Sequence, residues 1–256
     1  MEIKKINTGT RKFKGILNIR DVWYDTNSSY KDADVVYYMN VEKPVGKIVS
    51  KFYTLLIDLS LDKEKLWKEV RKKTKYEINF ADKKDNLIHE VFHKDSVNVL
   101  EDFKKDFKLF SDLKKISGID HERVNLYQSL GVLTLTRVLD KYGNTIVWHV
   151  YRTNQERAML LYSATMGFRN NDKKLIGRSN RLAHWKEITM FKRLNIKYYD
   201  MGGWYHKDDK PELLGVNKFK ESFGGYIVKG YLCIDFPTFK GKLVYLAKKL
   251  QSVIRK

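Results

Sequence analysis

The chain has 256 residues, 43% of them hydrophobic and 13% aromatic, so it can bury roughly three quarters of its unfolded surface, which excludes a disordered tail and leaves one large or two small globular domains. Its 50 Lys and Arg against 31 Asp and Glu give a formal charge of +19, a potential that suits RNA, anionic lipid or a nucleotide-activated substrate, although a lysine-rich surface alone produces the same balance. A single Cys233 excludes an intramolecular disulfide and no stretch is apolar and long enough to span a bilayer, so one compact cytosolic unit is expected.

In chain order, Val35 to Met39 and Tyr53 to Asp58 read as strands, because β-branched and aromatic residues cluster there between polar breaks. Leu59 to Ala81 reads as one helix that Ser60 can cap, with Leu66, Trp67, Val70, Tyr76 and Ile78 near one face and Lys68, Arg71, Lys72, Lys73 and Lys75 crowding its second half. Asp95 to Ile116 is a second helix, capped by Asp95 or Ser96, and Asp120 to Gly131 a third, which Gly131 closes in the left-handed position. The period then changes. Val132 to Leu139 and Thr145 to Arg152 alternate as strands around a turn at Tyr142, Gly143 and Asn144, and Ala158 to Thr165 supplies another. Asn180 to Leu194 has the helical period and a strand from Ile196 to Met201 follows, which makes a strand-helix-strand crossover. Thr238 to Lys256 forms a basic amphipathic helix, suited either to docking on a sheet or to lying on an anionic membrane.

Two glycine pairs punctuate the second half of the chain: Tyr199, Asp200, Met201, Gly202, Gly203, and then Phe219, Lys220, Glu221, Ser222, Phe223, Gly224, Gly225. Glycine pairs let a backbone approach a ligand closely. Arg178 and Arg181 stand at the expected start of the helix before the first pair, where unpaired N-H groups and the helix dipole favour a phosphate, with Asn180 as an alternative cap. Asp200, at a strand end, can orient or deprotonate an amine, or hold the following turn through its carboxylate. Trp204 and Tyr205 look like pocket-lining residues, whereas Phe219 and Phe223 suit either an apolar wall or the core. Among six histidines only His89 and His93 share a helical spacing, so no metal site is expected.

The stretches Leu66 to Ala81, Arg178 to Trp185, Tyr199 to Gly203 and Phe219 to Gly225, in that order, resemble the GNAT superfamily of acyltransferases. Within it the match is to the Fem-like branch: the FemABX peptidoglycan-bridge aminoacyltransferases and related acyltransferases of surface-polysaccharide synthesis. The chain is shorter than the usual two-domain Fem protein, and Lys75 stands where an arginine is common. The resemblance implies a role for Lys220, the lysine of the Phe-Lys motif, in handling the acyl donor. Chemistry agrees, since acyl transfer to an amine passes through an oxyanion that a cation and the backbone near Gly202 and Gly203 can stabilise by about 3 kcal/mol.

The expectation is a mixed α/β protein with a GNAT-like twisted mixed sheet flanked by helices. Residues 1–125 form a smaller N-terminal half read as a degenerate GNAT-like copy, 126–236 the acyltransferase core, and 237–256 the C-terminal helix. The implied reaction moves an acyl or aminoacyl group directly to an amine of a nucleotide- or lipid-linked sugar or peptide precursor. Lys220, Asp200 and Tyr199 are the catalytic candidates, and Gly202, Gly203, Trp204, Tyr205, Phe219, Phe223, Arg178, Asn180 and Arg181 the binding candidates. No cofactor is held permanently; acyl-CoA or aminoacyl-tRNA is the co-substrate, DNA is not a partner, and the inner face of the membrane is a possible peripheral station. The competing reading is a catalytically inactive GNAT-like module that binds RNA or an anionic surface.

Overall fold

The computed structural model describes residues 5–13, 15–26, 30–93, 96–167 and 172–254. The chain divides into two compact units, one of Ile6–Thr54 with Val228–Lys256 and the other built on Leu55–Ile227. Asp95, Arg255 and Lys256 lie outside the described residues, as do the side chains of Lys248 and Lys249.

In the first of these units, β1 (Thr8–Phe13) and β2 (Leu17–Trp23) form an antiparallel hairpin, and β2 pairs in parallel with β3 (Val35–Val41). Strand β4 (Ile48–Asp58) then carries the chain into the second unit. Helices α1 (Lys63–Glu69) and α2 (Lys72–Lys84) follow. They are two helices rather than the single one expected, because Val70 and Arg71 are extended and the Arg71 N-H is drawn off the helix to the Ser222 carbonyl at 2.9 Å. Asp62, not Ser60, caps α1 by accepting from the Lys65 N-H. Tyr76, placed on the apolar face by its spacing, is 66% exposed.

Strand β5 (Ile88–Phe92) precedes α3 (Val97–Lys114) and α4 (His121–Leu130), the latter closed by Gly131 in the left-handed conformation as expected. Strands β6 (Leu133–Leu139), β7 (Thr145–Thr153) and β8 (Arg157–Thr165) form an antiparallel meander with β5 on its outer edge. Helix α5 (Lys173–Arg193) then crosses over to β9 (Tyr198–Gly203), which runs parallel to β8, so the expected crossover is present. Its helix starts seven residues before Asn180, where Asp172 caps the N-H groups of Lys174 and Leu175. Helix α6 (Pro211–Glu221) lies between the two glycine pairs; Pro211 at its first turn has no N-H to leave unpaired. Along this unit the strand order is β4-β9-β8-β7-β6-β5. Its core gathers Leu55, Ile57, Leu66, Ile78, Leu182, Ile188 and Phe191 with Tyr151, Tyr199 and Phe223.

Strand β10 (Tyr226–Asp235) returns the chain to the first unit and pairs antiparallel with β3, giving the order β1-β2-β3-β10 there. Cys233 is a buried free thiol beside Val22, Val36 and Val41. Helix α7 (Phe239–Ile254) packs Val244 and Tyr245 toward Phe236. Phe239, Leu243 and Leu246 on the same helix are 78%, 51% and 52% exposed. No helix among the described residues is long and apolar enough to cross a membrane.

Candidate active site

The carboxyl end of β9 and helix α6 define one wall of a cavity of about 550 Å³, and β8 and α5 complete it. The glycine at position 202 is required by geometry: its φ is +72°, and a Cβ there would lie 2.8 Å from the Leu160 carbonyl oxygen on β8. In the second glycine pair, a Cβ on Gly225, at φ +88°, would collide with the Leu56 carbonyl oxygen. The first pair opens the cavity floor and the second lets β10 begin beside β4.

Lys220 lies in the last turn of α6 and lines this cavity with Gly202, Gly203 and Phe219. It is 9% exposed, its Nζ donates to the Gly203 carbonyl, and burial pushes its pKa down to about 8 against the opposing pull of Asp200. Asp200 is completely buried. Its Oδ1 accepts from the Gly202 N-H at 2.8 Å and its Oδ2 from Arg157 at 3.2 Å, so the carboxylate holds the turn into the glycine pair. Phe219 sits on the cavity wall with the Arg181 guanidinium 5.2 Å over its ring, while Phe223 belongs to the core. Trp204 packs half-buried on that core, and Tyr205 is fixed through its main chain to Asn217 and through its hydroxyl to Asp209.

The phosphate argument for Arg178 and Arg181 needs a helix start, and the observed start at Lys173 removes it. Arg178 instead clasps Asp85 with two nitrogens at 2.6 and 2.9 Å and stacks over Phe80, while Arg181 pairs with Glu77 at 2.7 Å. Both guanidiniums fasten α5 to α2. Asn180 is not a cap either: from the middle of α5 its Oδ1 meets His149 Nε2 at 2.9 Å on the cavity wall.

Tyr199 leads to a polar network that residue spacing did not reveal. Glu187 of α5, fully buried, accepts from Thr136, from His149 Nδ1 at 2.9 Å, from Tyr151 at 2.6 Å and from Tyr199 at 3.2 Å. The two tyrosine oxygens are 2.6 Å apart, and Tyr199 in turn lies 2.6 Å from His184 Nδ1. Burial raises both tyrosine pKa values well above 10, and the Glu187 charge adds to it. Burial also acts to raise Glu187, but His149 and its hydrogen bonds outweigh it and hold the carboxyl well below the usual range. Candidate ligand atoms of His149, His184 and Glu187 lie within 4.8 Å of one another, a spacing a metal could use, yet the His Nδ1 atoms and the carboxylate are committed to hydrogen bonds. The available sequence signal was on α5: Asn180, His184 and Glu187 fall at i, i+4 and i+7 on one face, with Leu182, Ala183, Trp185 and Ile188 close by.

No protein-family model matches the sequence, and no curated protein sequence does. Solved structures match over nearly the whole chain. FemX is 12% identical with a TM-score of 0.64, covering 93% of this chain and 85% of its own. The C-terminal domain of a putative lysylphosphatidylglycerol synthetase from Agrobacterium fabrum is also 12% identical, with a TM-score of 0.60 and coverage of 98% and 88%. L-PGS from Bacillus licheniformis is 11% identical at a TM-score of 0.51, covering 100% of this chain and 89% of its own. At these identities the likeness is one of fold, and the chain has the Fem-like fold that its glycine motifs implied.

Proposed function

We propose that this protein is an N-acyltransferase that moves an acyl or aminoacyl group from an activated donor to an amine of a cell-envelope precursor by direct attack. The observation that carries the reading is a single lysine, Lys220, buried at the wall of an otherwise largely apolar cavity beside a glycine pair. A cation there has little water to share its charge, so an oxyanion developing on a donor carbonyl is stabilised more strongly than in solvent. FemX and the lysylphosphatidylglycerol synthetase domain, which share the fold, support transfer onto envelope components. The positive charge favours aminoacyl-tRNA as donor, and acyl-CoA is the competing donor.

The test offers the protein aminoacyl-tRNA and acyl-CoA with an amino-sugar or peptidoglycan-precursor acceptor. Acylated amine from either donor is expected; no product from both overturns the reading. A salt-dependent gel shift with tRNA identifies the first donor, and a melting temperature raised by coenzyme A identifies the second.

The reading extends to peripheral contact with an anionic membrane, the station of lipid-linked acceptors. In the unit that carries α7, the exposed Phe239, Leu243 and Leu246 form a stripe, and Lys240 donates to the carbonyl of Ile16, itself 65% exposed. From Thr8 to Arg20 and from Thr238 to Lys256 the sequence has no Asp or Glu. An apolar stripe on a helix whose sequence is basic suits an anionic bilayer, although Lys240 also lies 4.0 Å from Asp34. Sedimentation with phosphatidylglycerol vesicles is expected to exceed that with phosphatidylcholine, and Phe239→Ser with Leu243→Ser to abolish the difference; equal binding to both lipids overturns the extension.

A further inference from the structure

The network around Glu187 fixes the proton positions of its members. A carboxylate only accepts, so the Tyr151 hydroxyl spends its hydrogen on Glu187, and the Tyr199 hydroxyl spends its own on Glu187 or on the Tyr151 oxygen. The Tyr199 oxygen is then left to accept from His184 Nδ1 at 2.6 Å. The imidazole of His184 therefore carries its proton on Nδ1 and a lone pair on Nε2. That ring, wedged between Phe219 and Phe223 at centroid distances of 5.4 and 5.3 Å, is part of the wall of the cavity that Lys220 lines.

We infer that His184 is the proton acceptor for the amine substrate, and that Tyr199, Tyr151 and Glu187 are positioning residues that hold its Nε2 lone pair toward the cavity. The inference rests on the acyl-transfer reading. In the step it describes, the amine nitrogen forms a bond to the donor carbonyl carbon while the carbonyl π pair moves to oxygen. The proton lost by nitrogen goes to His184 Nε2. The oxyanion then re-forms the carbonyl and breaks the bond to the leaving oxygen or sulfur of the ester or thioester, which takes the proton back from Nε2. The enzyme ends as it began, and no further reactant is needed.

The charged and titratable groups around His184 support a neutral resting ring. They are Arg181 and Glu187 on its own helix, His149 and Tyr151 on β7, Tyr199 on β9 and Lys220 on α6. Burial holds the His184 pKa well below 6.5, and His149, Lys220 and Arg181 push in the same direction against Glu187. The ring is thus a free base at neutral pH. Lys220 and His184 divide the work in one cavity, the cation serving the oxyanion and the imidazole serving the amine.

The experiment compares the full chain with His184→Gln and Tyr199→Phe in the acyl-transfer assay, alongside long-range nitrogen-proton NMR of the histidine rings. Turnover of His184→Gln is expected to fall by about 10²- to 10³-fold with KM little changed, the range of general base catalysis. Tyr199→Phe is expected to lose roughly tenfold and to move the acid limb of its pH profile to lower pH, since the imidazolium loses the oxygen that shares its charge. If His184→Gln does not fold, the Tyr199→Phe profile decides. The NMR signal of His184 is expected to show an Nδ1 proton and a bare Nε2 at pH 7, and a proton on Nε2 overturns the inference. Full turnover by His184→Gln, with the wild type active, overturns it while leaving acyl transfer standing. A wild type inactive with both donors overturns both.

Discussion

Two polar clusters lie a few residues apart along β9 and are built on opposite plans. Around Tyr199 the Glu187 network is closed, with a fully buried carboxylate that meets four donors. Around Gly203 the Lys220 ammonium donates to a backbone carbonyl and faces a cavity. Three donors with one neutral acceptor, and Asp200 acting on the charge through space, leave the ammonium with hydrogens to give an incoming anion. The difference separates what holds the site from what acts in it: a satisfied network fixes geometry, and an under-satisfied buried cation is ready for an incoming anion.

The largest effect is expected from opening the closed cluster. Glu187→Leu strands the hydroxyls of Thr136, Tyr151 and Tyr199 and the Nδ1 of His149 in a dry core, and should cost about 3–5 kcal/mol of unfolding free energy. The acid side follows from the pKa directions. Glu187 and His184 both have depressed folded values, so the unfolded chain binds more protons than the folded one as pH falls below about 6.5 for the histidine and about 4.3 for the glutamate. Their stability is complete above those values and is lost toward lower pH, through each folded pKa. Chemical denaturation from pH 8 to pH 2.5 should show the histidine decline below about 6.5 in both the wild type and Glu187→Leu, and a further steepening below about 4.3 in the wild type alone. Equal slopes below pH 4 would mean that Glu187 does not carry its charge into the folded network.

These clusters also show what a sequence makes legible. The first two strands of the meander follow from β-branched residues between Val132 and Thr153, and Gly131 marks its helix end by a left-handed conformation that glycine adopts cheaply. Both are local signals. The Fem-like fold followed from the order of several short motifs, because glycines at 202 and 225 are imposed by backbone contacts the fold must make. The closed cluster draws on residues from Thr136 to Tyr199 and has no local signature, since the pairing of β6, β7 and β9 with α5 creates it. Arg178 and Arg181 misled for a related reason: Asp172, an ordinary polar residue in the sequence, begins the helix earlier, so a plausible phosphate site became two ion pairs along its flank.

Lys220 gives the second effect. Lys220→Met keeps the apolar stem and removes the charge, and kcat/KM is expected to fall by about 10²-fold, near the 3 kcal/mol of one oxyanion partner. Stability should move the other way. A lysine whose folded pKa is about 8 against about 10.4 unfolded is bound more weakly to its proton in the folded state, so its burial costs stability below pH 8, and that cost disappears as pH rises from 8 to 10.4. Lys220→Met should therefore melt at or above the wild type at pH 7, with the gap closing by pH 10. In the wild type, activity that needs the cation should decline through a basic limb near pH 8. A variant that is both inactive and destabilised would place Lys220 with the closed cluster and end the distinction.

The smallest effect separates a fastener from a ligand-binding group. Arg178 holds Asp85 bidentately with both side chains mostly buried, 17% and 9% exposed, so Arg178→Ala should cost about 1 kcal/mol, more than an exposed pair and far less than Glu187→Leu. Because the guanidinium is already neutralised by that carboxylate and stacked on Phe80, a donor phosphate would have to displace Asp85 to reach it. The KM for the donor should then stay within twofold of wild type while the melting temperature falls by a few degrees, as expected for a loss of about 1 kcal/mol. A KM raised tenfold or more with unchanged melting would return Arg178 to the binding site and require that Asp85 release it when the donor arrives.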